Sequence, residues 1–167
     1  SRLASLYERG VPDGVHAVRD AEFLEWRYQN PDWRYEAYTA AMAGDPVAGV
    51  VTGTQTEDGV TTTNLVDALP LAGGRDRDAG LHEILRTVTD AYADSDLLAY
   101  NGTAIPESVL RAHGFHYDGS APLSRVTSPT KLVAYDITSG DGAWCTGGLD
   151  LRDSSSWALS YAELDAR

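Results

Sequence analysis

The sequence has 167 residues and a formal net charge of -12, with 13 cationic against 25 acidic side chains and one cysteine. That length suits one domain with a real core and room for a tail. No basic cluster exists to grip nucleic acid, Cys145 alone cannot form an internal disulfide, and no apolar run approaches the roughly 20 residues of a membrane helix.

A single cysteine fits a reducing cytosol, and no basic-then-apolar leader opens the chain, so a cytoplasmic location is expected. The chain opens on Ser1 instead of Met, which suggests a fragment or a processed product. Among the cationic residues only Lys131 is a lysine, and the acidic side is mostly aspartate. Such a surface repels itself at low ionic strength and suits molar salt, where screening shrinks to about 3 Å. This composition reads as a halophile's.

Residues 1–19 show weak periodicity and are expected to be a lead-in. Asp20 then opens DAEFLEWRYQNP, a helix capped by Asp20 and ended by Pro31. RYEAYTAAM (34–42), PVAGVVTGTQ (46–55) and VTTTNLVDALPL (60–71) read as three antiparallel strands, with turns at GDP and TEDG. After the loop LAGGRDRD, residues 79–93 place Leu81, Ile84, Leu85, Val88 and Tyr92 on one helical stripe.

LLAYN (97–101) is a short apolar strand. PESVLRAHG (106–114) is a helix with proline at its start and glycine at its end. FHYDGS (115–120) and KLVAYDI (131–137) read as a closing strand pair, 138–156 as a Gly/Ser/Asp-rich linker, and 157–167 as a terminal strand or short helix. The order gives an α+β fold with a mixed, mostly antiparallel sheet.

That order, with VLRAHGFHYDG (109–119) and its Gly114-Phe115 pair, resembles the GNAT superfamily of acyl-CoA-dependent N-acyltransferases over roughly residues 20–137. DAEFLEWRYQNP is similar to the segment that introduces a GNAT-like half in two-domain haloarchaeal acetyltransferases. The resemblance implies transfer of an acetyl group from acetyl-CoA to a small-molecule or peptide amine. It also implies a partner, either a missing N-terminal GNAT domain or a second copy.

In such a fold, 60–71 and 97–101 run parallel and splay apart. Free backbone groups near Ala68 and Leu69 then bond the pantetheine arm, and Asn101 lies near it or caps a turn. The pyrophosphate meets the following helix start, where the dipole is positive. Arg77-Asp78-Ala79-Gly80 matches the first half of the family's phosphate loop, with His82 where a small residue belongs. Gly73, Gly74, Arg75, Arg77 and Gly80 are therefore the candidate phosphate contacts. The other reading is a surface loop in which Asp76 or Asp78 caps the helix and occupies those donors.

The family's usual tyrosine acid falls at Leu110, which has no proton to give. Tyr117 is the candidate acid and Tyr100 a neighbour. Asp67, on the third strand, is the candidate base if it faces an apolar cleft, or an aspartate that bonds backbone. His82, His113 and His116 are alternatives or structural residues, and no spacing suggests a metal site. Trp26, Arg27, Tyr28, Trp33 and Tyr35 line an acceptor pocket or pack a core or interface. Two further functions follow: a degenerate, non-catalytic GNAT-like module that packs on an active partner, and a CoA-binding regulatory domain.

Overall fold

The structure, a computed structural model, describes residues 1–125 and 144–163. Three strands form the expected meander: β1 (Arg34–Met42), β2 (Asp45–Glu57) and β3 (Val60–Leu69). Gly44 and Gly59, both at positive φ, close the two tight turns. A helix, α3 (Arg75–Ala91), then carries the chain back to β4 (Leu97–Tyr100), which pairs parallel to β3. The sheet order is β1-β2-β3-β4. This is the α+β class and the mixed, mostly antiparallel sheet expected from the sequence.

Both faces of β2 and β3 are covered, so their middles are buried without alternation. On one face α3 lays Leu81, Ile84, Leu85 and Val88 against Ala48, Val50, Leu65 and Ala68. Gly80 lets it come close. A Cβ there would lie 2.9 Å from both the Ala48 Cβ and the Val47 Cγ2. On the other face α1 (Arg2–Glu8) sets Leu6 and Leu3 over Gly49. A second short helix, α2 (Ala21–Arg27), packs beside it, with Asp20 capping through the Phe23 amide. After β4 comes α4 (Glu107–Ala112), which ends at Gly114 with φ +82° as its composition implied. No helix among the described residues is long and apolar enough to cross a membrane.

Four local expectations change. Residues 1–19 contain α1, whose roughly two turns are too short to show a clear period. The loop after β3 is shorter than it reads, because α3 begins at Arg75 and takes in the whole Arg-Asp-Arg-Asp run. Residues 115–120 are turns, not a strand; the bonded carbonyls there are those of the α4 end and a tight turn at Tyr117. Within the expected linker, β5 (Cys145–Thr146) and β6 (Leu149–Asp150) make a small hairpin. The strand expected at 131–137 lies outside the described residues.

Candidate functional site: a strand fork and the start of α3

β3 and β4 pair from Thr62↔Leu97 to Leu65↔Tyr100 and no further. One residue on, β3 is bulged. Leu65 lies opposite Thr52 and Asp67 opposite Val51, which leaves Val66 without a partner in the register. A bulge bends its strand and increases the local twist. β3 stays on β2 as far as Leu69, while its ladder with β4 stops at Leu65↔Tyr100, which leaves two prongs, 66–69 and 101–104, that do not pair with each other. Residues 60–71 and 97–101 therefore lie side by side and then cease to pair, the fork on which the acyl-transfer reading depends.

Arg77 spans the far end of that fork. Its Nε donates to the Pro70 carbonyl at 2.7 Å, and a terminal nitrogen donates to the Ala104 carbonyl. The side chain is only 5% exposed, with its methylenes against Gly73. Burial lowers its pKa, against the pull of Asp78, which accepts from it at 3.2 Å. Arg77 clasps the prongs together, so its donors do not point at a phosphate. Gly80, in the second turn of α3, has its amide inside the helix and its Cα against the sheet, so it too leaves the expected phosphate group.

The helix start itself is open. The N-cap is Gly74, extended, with no side-chain cap. Asp76 and Asp78 fall in the first turn, where the dipole favours them, yet neither caps; the capped-loop reading is overturned. Gly73, Gly74 and Arg75 are exposed there. The first-turn amides therefore carry no side-chain cap, as an anion site requires, while Arg77 of that turn is buried.

Asp67 lies on the opposite face of the sheet from α3 and is sealed. Arg19 Nε is 3.1 Å from its Oδ2, and neither side chain is exposed. Its Oδ1 accepts the Ala68 amide at 3.1 Å, and Tyr28 donates to Oδ2 at 3.4 Å. Arg19 also donates to Ser160 Oγ at 2.9 Å and pairs with Glu163. Burial raises the Asp67 pKa and outweighs the opposing charge of Arg19. Burial would raise Glu163 as well, but its bonds to Arg19 and to the Ser160 and Ala17 amides hold it low. Burial and the Asp67 charge push Tyr28 up. Asp67 therefore does not face an open apolar cleft; its lone pairs are taken by the chain's own donors.

What closes the cluster is the segment 156–163. It is bonded to the lead-in by Val15 N–H to Ser156 O and Ala158 N–H to Val15 O, and to the β4 prong by Thr103 N–H to Leu159 O at 2.7 Å. The Leu159 amide donates back to Thr103 Oγ1 at 3.1 Å. Gly102 makes room, since a Cβ there would lie 2.6 Å from the Leu159 carbonyl oxygen and 2.8 Å from the Ser160 Cα. Arg27 donates to the Ala162 carbonyl at 2.9 Å, and Trp33 tilts against Tyr161.

The remaining expected residues scatter. Asn101 begins the β4 prong, half-buried. Tyr117 is in the loop after α4, 62% exposed and resting on Gly119, so it is not brought to Asp67. Tyr100 is closer to the fork: its hydroxyl accepts the Ile105 amide at 3.0 Å, and burial and the charge of Asp67 raise its pKa. Leu110 packs against the core. His82 Nδ1 meets His113 Nε2 at 3.1 Å across α3 and α4. Trp33 stacks on Tyr35 and Tyr28 tilts against it, while Trp26 stays 69% exposed beside Phe23. The residues that define the cluster with Asp67, namely Arg19, Ser160 and Glu163, carried no signal in the sequence beyond being polar residues near predicted element ends.

No protein-family model and no curated protein matches this chain. Among solved structures it is similar to TTHA1254 from Thermus thermophilus, at 15% identity and a TM-score of 0.47, over 82% of this chain and 95% of that one. A point mutant of the same protein gives a TM-score of 0.48 over the same spans. It is also similar to a ribosomal-protein-alanine N-acetyltransferase from Brucella melitensis biovar Abortus, at 16% identity and a TM-score of 0.45, over 82% of this chain and 88% of that one.

Proposed function

We propose that this chain is a GNAT-like N-acyltransferase domain that moves an acetyl group from acetyl-CoA to an amine. The observation that carries the reading is the fork. A parallel pair ends at Leu65↔Tyr100, the longer strand is bulged one residue on, and a short loop joins that strand to a helix with no side-chain cap. An extended amide-bearing ligand fits between diverging strands, and an anion fits the helix start.

When bound, acetyl-CoA supplies the thioester. Gly73, Gly74 and the exposed Arg75 would hold its phosphates, and the prong at Ala68 and Leu69, whose Ala68 amide is taken by Asp67, would offer its arm the remaining main-chain groups beside Asn101. Asp67 would take the amine proton as nitrogen attacks the thioester carbonyl carbon, once released from its enclosure by Arg19, Tyr28 and residues 156–163. The carbon–sulfur bond breaks, and the leaving thiolate takes a proton from a phenol. Tyr100, kept protonated by its burial, ends the paired part of β4, whereas Tyr117 is exposed in the loop after α4.

A second reading is favoured by one observation. Asp67 is shut inside an ion-paired cluster, as befits a non-catalytic module packed on an active partner domain or a second copy. Titration calorimetry with acetyl-CoA in molar KCl divides the readings. Heat of binding supports the acyltransferase, and no heat supports the module. Release of free thiol with a panel of amines then separates an enzyme from a CoA-binding regulatory domain.

A further inference from the structure

His82 stands where the resembled family's phosphate loop has a small residue, and neither the fork nor the start of α3 uses it. It lies near the middle of α3, next to the buried Leu81, and is itself half-buried. His113, also half-buried, is the C-cap of α4, followed by Gly114 at φ +82°. The fold sets these residues, 31 positions apart, with His82 Nδ1 3.1 Å from His113 Nε2. The ring centroids are 5.2 Å apart and the planes tilted by 46°. Two acids on the same helices are taken by their own arginines, Glu83 by Arg86 at 2.5 Å and Glu107 by Arg111 at 2.7 Å.

Two imidazole nitrogens at that spacing can share one proton or hold one cation between their lone pairs. Two nitrogens each about 2.0–2.1 Å from one zinc ion, at angles between square and tetrahedral, lie about 2.9–3.4 Å apart. The 3.1 Å separation falls inside that bite. Histidine χ2 is soft, so a small turn of each ring converges the lone pairs. The geometry points to a two-histidine site at His82 and His113 for a first-row transition-metal dication such as Zn2+ or Ni2+, ions that imidazole suits. Among the described residues no third carboxylate, thiol or imidazole joins them, so water fills the other positions and the ion exchanges readily. The net charge of -12 draws cations to the surface. A bound ion would staple the end of α4, a helix too short to be stable alone, to α3. This site uses none of the groups assigned to acyl transfer, so either reading can fail without the other.

The probes are Zn2+ and Ni2+ themselves, titrated by calorimetry into the full metal-stripped chain. Millimolar Mg2+ is present to occupy the surface carboxylates, since it prefers oxygen ligands. A Cys145→Ser background removes the exposed thiol as a competing ligand. One ion should bind per chain. His82→Gln and His113→Gln should each weaken it at least about tenfold, because one ring then replaces a chelating pair. His116→Gln, at an exposed position beyond the end of α4, should leave affinity unchanged. Zn2+ at about 100 times its Kd should raise Tm by roughly 5–10 °C, and either ligand variant should lose that rise.

Absence of binding, or equal affinity in His82→Gln/His113→Gln, would overturn the site. Binding with no rise in Tm would overturn the staple. If the variants do not fold, paramagnetic Ni2+ added below one equivalent decides on the wild type by NMR. It should broaden the ring signals of His82 and His113 ahead of those of His16 and His116, and broadening that spares the pair would overturn the site.

Discussion

Arg19 Nε lies 3.1 Å from Asp67 Oδ2, and both side chains are wholly buried. The two residues are far apart in sequence, one ahead of α2 and the other in β3, so the pair ties the lead-in to the sheet. Removing one member of a buried pair leaves the other as an uncompensated charge. Arg19→Met should therefore lose about 3–5 kcal/mol of stability, read from urea unfolding in KCl. Arg19→Met/Asp67→Leu should recover part of that loss, because the wholly buried carboxylate goes with its partner while Glu163, the other partner of Arg19, stays. A double variant no better than the single would contradict this.

Arg77 gives a contrasting expectation. Its guanidinium bonds the carbonyls at Pro70, just beyond the β3 prong, and Ala104, at the end of the β4 prong. Arg77→Ala should destabilise the fold by about 2–3 kcal/mol, since buried carbonyls lose a charged donor. Any loss of coenzyme A binding should track the unfolded fraction. A variant as stable as wild type that still fails to bind would return Arg77 to the phosphate site.

Gly74 permits a test in which stability and binding move in opposite directions. It is the uncapped N-cap of α3, extended at φ -115°, with nothing near the position of an added Cβ. Gly74→Asp should cap the helix and stabilise the protein by roughly a few tenths of a kcal/mol. The same carboxylate would take the amides meant for phosphate and repel it, weakening coenzyme A about tenfold. The penalty should be larger at low salt than in molar KCl. Unchanged affinity in a stabilised variant would move the phosphates elsewhere.

The His82–His113 contact sets a pH dependence. Burial lowers the His113 pKa from 6.5, and the nearby His82 and Arg86 lower it further, against Glu83. The unfolded chain then binds this proton more readily than the folded one. Stability should be full above pH 6.5 and decline as pH falls below it toward the lowered value. Thermal melting between pH 8 and 5.5 should show that decline, and His113→Gln should flatten it. An equal slope in the variant would assign the effect to other groups.

The acidic, almost lysine-free composition, the strand meander, the stripe on α3 and the Pro/Gly limits of α4 were all legible in the sequence. Each is a local matter, fixed by charge count, by side-chain period or by the backbone freedom of one residue. The side-by-side placement of 60–71 and 97–101 was also legible, because a strand, a helix and a second strand leave few ways to connect. What was misread lies at boundaries. The first turn of α3 looked like a loop because Gly73-Gly74 and four alternating charges hide its start. Arg77 looked free because nothing near it in sequence shows the two carbonyls it bonds.

The partners of Asp67 show why the rest stayed hidden. Arg19, Ser160 and Glu163 come from opposite ends of the chain, and only folding brings them to one strand. Local preference decides which segments become helix or strand, because those choices depend on neighbours a few positions away. Whether a carboxylate faces solvent, a ligand or an arginine depends on which distant segment covers it, and here residues 156–163 made that choice.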